Sequence, residues 1–184
     1  METLTRVLKY GTNDFFNFIR NIDYGYMDVK GKIHRISPND DYSKQGGEPY
    51  VFSSPDQVVA NNCGWCWDVA ELIRLWCQTN NVECKYIFFE YLSNNFHKTH
   101  TQVFAKWNNK WCECPDNTSP IVFGENCYDK FETCINDFVN LFKNYLKNLL
   151  GNKYVSSNLL VKEITKPLIS GMSVEEYLET ARKY

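Results

Sequence analysis

Residues 61–77 read NNCGWCWDVAELIRLWC, and the placement of this stretch decides the fold. From Cys66 to about Gln78 the run predicts a helix. Val69, Ala70, Leu72, Ile73, Leu75, Trp76 and Cys77 make it apolar around most of its circumference, so it belongs at the centre of the molecule. Upstream, SPDQVVANN at 54–62 has Ser54 as an N-cap, Pro55 in the first turn and Gln57 closing a capping box. That short helix stops at Asn61-Asn62, and Gly64 breaks the chain before the central helix begins.

Outward from this centre the pattern alternates between the two periods. Phe15, Phe16, Phe18, Ile19 and Ile22 have helical spacing within 12–22. Residues 24–37 read as a hairpin turning at Lys30-Gly31, and 36–49 as a polar loop able to cover a cleft. VECKYIFFEYL at 82–92 is a strand. HTQVFAKWNNKWCECPD at 100–116 gives two strands joined around Asn108-Asn109, with His100 at the start of the first. A long amphipathic helix over 129–150 is expected to be capped by Asp129 with Glu132 and stopped by Gly151. A strand within 154–164 and a helix over 173–183, with Ser173 and Glu176 as its capping box, complete an α+β chain.

Composition bounds the function. A chain of 184 residues, 43% hydrophobic and 16% aromatic, is enough for one packed core, and its formal net charge of −2 comes without a Lys/Arg cluster. The expected partners therefore exclude nucleic acid. No apolar run reaches the ~18 residues a membrane span needs, and the polar N-terminal METLTRVLKYGTNDFF has no signal-peptide character, so a cytoplasmic location with reduced thiols is expected. Of the eight cysteines, Cys77, Cys84 and Cys134 read as small buried hydrophobes.

Cys63 and Cys66 admit three chemistries. A zinc site would add Cys112 and Cys114, whose single intervening residue is short for a knuckle. A thioredoxin-like redox pair fits CGWC, but a strand should feed that motif, not a capped helix. A lone Cys66 nucleophile fits best. A thiol at a helix N-terminus meets the positive end of the dipole, which predicts a thiolate more reactive than the other seven, and the same N–H groups can hold an oxyanion. Its base would be His100, on the strand face shared with Gln102; His97 is the nearest substitute, and His34 lies in the N-terminal hairpin. No metal or other cofactor is called for.

The blocks GWCWDVAEL, THTQVFAKW and KWCECPDNT resemble the three motif blocks of the transglutaminase-like superfamily, over roughly residues 54 to 118. With YGYMDVKGKIH and SPDQVV upstream, the chain is similar to small clostridial and phage members of that group. The resemblance implies a papain-like core with Cys66 as nucleophile, His100 as base and Asp116 as the orienting acid. It also implies acyl transfer or hydrolysis at amide bonds of a protein or peptide substrate, through a thioester. The implied organisation is one domain over 1–184: a core at about 54–118, an N-terminal helix, hairpin and loop over 1–53, and C-terminal helices and strand over 129–184. The chain departs from the pattern in one place. Trp111 to Asp116 is one residue longer than the family spacing, which leaves Glu113 as the competing third residue. With a two-residue loop at 108–109, Glu113 lies across from Phe104, about 13 Å along the strand from His100. With a bulge or odd loop, Asp116 faces Gln102 instead, so Asp116 goes with an irregular loop at 108–110. Trp65 and Trp67 are candidates for walls around the acyl group, and Asn62 and Gln102 for oxyanion donors. A thioredoxin-like redox protein, or a non-catalytic binding module on the same fold, remains open.

Overall fold

The structure, a computed structural model, describes residues 2–36, 49–166 and 168–184. The loop expected at 36–49 lies almost wholly outside the described residues.

In chain order the helices are α1 (Leu4–Val7), α2 (Thr12–Arg20), α3 (Pro55–Asn61), α4 (Cys66–Thr79), α5 (Phe131–Leu150) and α6 (Val174–Lys183). The strands are β1 (Asp23–Asp28), β2 (Ile33–Arg35), β3 (Tyr50–Val51), β4 (Cys63–Gly64), β5 (Cys84–Ser93), β6 (Phe96–Trp107), β7 (Lys110–Glu113), β8 (Cys127–Tyr128) and β9 (Leu159–Glu163). The fold is α+β. A five-stranded antiparallel sheet has the order β8-β7-β6-β5-β9, and a smaller sheet pairs β1 with β2 and β3 antiparallel and with β4 in parallel.

Strand alternation gives the large sheet two apolar faces. Tyr86, Phe88, Val103, Ala105 and Cys114 pack with Leu72, Ile73 and Trp76 of α4, with α2, and with Tyr177 and Ala181 of α6. Ile87, Phe89, Tyr91, Phe104 and Trp111 meet Cys134, Phe142 and Leu146 of α5 on the other side. The sheet is thus the middle of three layers. Helix α4 is buried because it is apolar nearly all round: Val69 and Leu72 are fully covered, and Trp76 stacks on Phe15 at 4.6 Å while its indole N–H donates to the Tyr10 carbonyl.

Local signals were decisive where chain neighbours settle the geometry. Ser54 and Ser173 close capping boxes with Gln57 and Glu176. Gly151 ends α5 at a positive φ of 54°. The other end of α5 differs from expectation: Lys130, not Asp129, is the cap residue, and no side chain caps it. Two differences matter more. Strand β6 starts at Phe96 and pairs with β5 from Phe96 to Ala105, so His100 sits inside a strand, opposite Phe89, and not at a strand start. The loop at 108–109 has no bulge. Trp107 pairs with Lys110, and Asn108 and Asn109 have φ of 49° and 62°, as a two-residue hairpin turn matching strand twist requires.

The cysteines also depart from a fully reduced set: Cys112 and Cys127, partners across β7 and β8, form a disulfide. Among the described residues no helix is long and apolar enough to cross a membrane.

The small sheet matters because it positions Cys66. β4 leads directly into α4, and its parallel pairing with β1 sets Asp23 beside Cys63 and Tyr24 beside Gly64. At Gly25 a Cβ would come within 2.1 Å of the His34 carbonyl oxygen and 2.8 Å of Cys63 Sγ. Gly25→Ala should therefore cost about 2–3 kcal/mol in urea unfolding, as overpacking does. A variant as stable as the parent would show that β1 does not pack this tightly against β2 and Cys63.

Candidate active site

The N-terminus of α4 is held by one carboxylate. Asp68 is fully buried, and its two oxygens accept the Trp65 N–H at 3.0 Å and the Ser53 N–H at 2.8 Å. Burial outweighs these donors and raises the Asp68 carboxyl to about 7. This clamp fixes the turn on which Cys66 begins the helix.

Cys66 meets the sheet at an open edge. The β6–β7 ladder closes with Phe104 opposite Glu113 and the Cys114 N–H on the Val103 carbonyl at 2.9 Å; beyond Val103 no strand among the described residues lies beside the outer edge of β6. Backbone groups alternate along a strand, so Thr101, two residues from Val103, turns its N–H to this same edge. That N–H favours the Cys66 thiolate. The opposing effects are larger. Burial, then the Asp116 carboxylate, then Asp68 push the thiol up to about 12. Thr101 is held in turn by a hydrogen bond between its hydroxyl and that of Tyr177 on α6.

His100 lies on the α5 face. Its ring is near-parallel to Phe138 at 5.8 Å and Phe142 at 6.2 Å, with Phe89 at 6.3 Å. This apolar packing lowers its pKa, against the pull of Asp116 and Gln102. His100 Nε2 is 3.1 Å from Gln102 Oε1. The Gln102 amide nitrogen donates to the Cys114 carbonyl, so its oxygen must face the ring. Nε2 of the neutral imidazole then carries the proton, and Nδ1 is left with the lone pair.

The other residues singled out from sequence divide clearly. Asp116 is buried and acts electrostatically on both Cys66 and His100. Its Oδ1 accepts from the Thr118 N–H and hydroxyl, each at 2.8 Å, and among the described residues it makes no hydrogen bond to His100. Glu113 lies across from Phe104 as the two-residue turn dictates, with its carboxyl raised by burial to about 7. His97 belongs to Glu90, at 2.7 Å, and His34 to Asp28, at 2.8 Å. Trp67 is core, 4.1 Å from Tyr177, while half-buried Trp65 packs on Tyr24 and Tyr50. Asn62 is the left-handed cap of α3 and donates to the Asn21 carbonyl, as a helix stop does.

Sequence reasoning missed two roles. Gln102, two residues from His100 on one strand face, is its hydrogen-bond partner. Asn117 ties the Asp116 loop to β4, the strand leading into α4, by donating to the carbonyls of Gly64 at 3.0 Å and of Ile22 and Asp23 at 3.3 Å. The spacing of His100 and Gln102 was a signal for the first; nothing local signals the second.

The zinc reading of the cysteines loses one of its ligands. Cys112 is committed to the disulfide with Cys127. Cys63 is buried in β4, with burial pushing its thiol up to about 11. Comparison with protein-family models and with curated proteins finds no match to this chain.

Two measurements test the electrostatics. The helix-tip placement alone predicts a thiolate; the structure instead raises the Cys66 thiol and lowers the His100 imidazole, so both are neutral. Iodoacetamide alkylation of Cys66 should therefore climb steadily above pH 8, and a plateau near pH 5 would reveal an ion pair instead. Glu113 binds its proton more tightly folded than unfolded between about pH 4.5 and 7. Its contribution to stability is thus complete below that window and lost as pH rises through it. Glu113→Gln should flatten the fall in thermal midpoint across pH 4.5–7.5 relative to the parent, and identical slopes would refute the shift.

Proposed function

We propose that the protein is a cysteine acyltransferase or hydrolase acting on amide bonds of a protein or peptide substrate, built on a transglutaminase-like, papain-related core. The observations that support this reading are Cys66 on the first turn of a buried helix with the Thr101 N–H at its thiol, the Asp116 carboxylate that acts on both Cys66 and His100, and the His100 tautomer set by Gln102.

The chemistry follows from a neutral pair. As the substrate carbonyl enters and displaces water, the Cys66 thiol passes its proton to His100 Nδ1 while sulfur attacks carbon. The N–H groups of the first turn of α4, aided by the dipole, stabilise the developing oxyanion. The imidazolium forms next to the Asp116 carboxylate, which favours it, and then protonates the departing amine. A thioester remains on Cys66. Water entering next makes the protein a protease or deamidase; an amine makes it a crosslinker. His100 needs its orientation throughout, and here Gln102 holds the ring while Asp116 supplies charge.

A second reading has one observation in its favour. The raised thiol and lowered imidazole suit a binding module that has kept these residues without turnover. Glutaminyl peptides with water or methylamine as acceptor separate the two. Ammonia release, methylamine incorporation and a hydroxylamine-labile acyl group on Cys66 are expected for the enzyme. Cys66→Ala and His100→Ala should each lower the rate by about 10²–10⁴-fold or more. A rate unchanged by Cys66→Ala would end the proposal. Gln102→Ala should cost about 10²-fold through a misplaced ring, with the fold retained by circular dichroism. Asp116→Asn should cost less than Gln102→Ala; the reverse order would return the orienting role to Asp116.

A further inference from the structure

The Cys112–Cys127 disulfide closes residues 113–126 into a loop, and that loop carries Asp116 and Asn117 to Cys66. Its return end is short of regular structure. β8 is two residues long; beside the disulfide the Glu113 N–H donates to the Asn126 carbonyl at 3.2 Å, the Tyr128 hydroxyl donates to Asp137 at 2.6 Å, and Phe123 stacks on Phe16 at 4.2 Å. The bond also faces outward. Cys112 and Cys127 line a cleft of about 930 Å³, bounded by Gly11, Asp14, Trp107, Lys110 and Phe123 at the hairpin end of the large sheet. The two sulfurs are unequally covered: Cys112 is 1% exposed, while Cys127 is only half-buried. The neighbouring Cys114 thiol is completely buried and packs against Cys77, so it is not free to exchange.

We propose that the Cys112–Cys127 disulfide is a reducible latch, opened at Cys127 by a low-molecular-weight thiol in this cleft, and that it controls whether the Asp116 loop stays seated at Cys66. The control of catalysis rests on the acyl-transfer reading above; the exchange chemistry does not. An external thiolate attacks Cys127 Sγ, the S–S bond breaks, and Cys112 leaves as a thiolate that takes up a proton. A second external thiol then attacks the outer sulfur of the mixed disulfide and releases Cys127. Two external thiols are oxidised to one disulfide, and the protein gains two thiols. The freed loop keeps Asn117, its own turn and the stack of Phe123 on Phe16, but it loses the covalent closure of its return end. Asp116 then leaves His100 without the neighbouring charge that favours the imidazolium.

The test begins in the Cys66→Ala protein, where no outcome depends on Cys66 chemistry. Folded protein is incubated with glutathione, alkylated and mapped, with hydrogen exchange followed in parallel. Cys112 and Cys127 should become labelled while Cys77, Cys114 and Cys134 stay protected. Amides of 115–126 should exchange at least tenfold faster, with those of β5 and β6 unchanged. The Cys112→Ser/Cys127→Ser variant should show the fast loop without any reductant. A bond that yields only in denaturant, or a loop equally protected in the reduced or double-serine protein, overturns the latch. With Cys66 present, reduction should lower amide turnover at least tenfold, and a loosened loop with turnover unchanged overturns the control of the site. Absence of turnover in the oxidised parent counts against the acyl-transfer reading alone, because the exchange signature is read without it.

Discussion

Burying Asp68 is the constraint on which the site depends. A carboxylate with no solvent exposure is costly unless its oxygens are satisfied, and here the donors come from two separate places in the chain, Ser53 and Trp65. Satisfying it binds the segment entering α3 to the turn entering α4. Once that turn is fixed, β4 has one place to lie, beside β1, and α4 one direction to run, across β5 and β6. The position of Cys66 is therefore a by-product of satisfying a buried charge, and the sulfur need not bind anything to be held.

The cost of this arrangement falls on the Cys66 thiol. The same packing that makes the turn rigid leaves Cys66 only partly accessible, and the Asp116 and Asp68 carboxylates repel a thiolate. The helix dipole and the Thr101 N–H act the other way and lose. A dipole contributes about 0.3–1 kcal/mol in ordinary settings, against a desolvation penalty of several kcal/mol for a charge. Cys66 and His100 therefore rest in the neutral state, and in the acyl transfer proposed above charge develops only along the reaction.

Chain-local features were legible in the sequence. The two serine capping boxes, the Gly151 stop, the buried α4 and the hairpin around Asn108-Asn109 all depend on neighbours within a few residues. Elements that exist only through distant pairing were not. β3, β4 and β8 are two residues each, too short to carry a period, and their partners lie far away in sequence. The Cys112–Cys127 bond belongs with them, since it follows from β7–β8 pairing that no local pattern announces. His100 was read as a strand start because Phe96–Thr99 looks polar, yet pairing with β5 through Leu92 and Ser93 extends the strand past it.

The orienting residue shows how one count of loop residues redistributes roles. An irregular loop at 108–110 would bring Asp116 to the His100 face, and the family resemblance favours that outcome. Asn108 and Asn109 both take positive φ without strain, being the residue type after glycine most at ease there, and so they close the hairpin in two residues. In that register Asp116 would face Thr101, whose side chain points to α4 and α6, and the chain leaves the ladder after Cys114 before Asp116 can pair. The acceptor for His100 then has to come from its own strand two residues on. Gln102 can fill that place because Cys114, the last residue of the ladder, offers a carbonyl that holds the amide in one orientation. The two-residue turn thus separates two interactions with His100: the Gln102 amide bonds the ring, and the Asp116 carboxylate, bonded to Thr118, acts on it through charge.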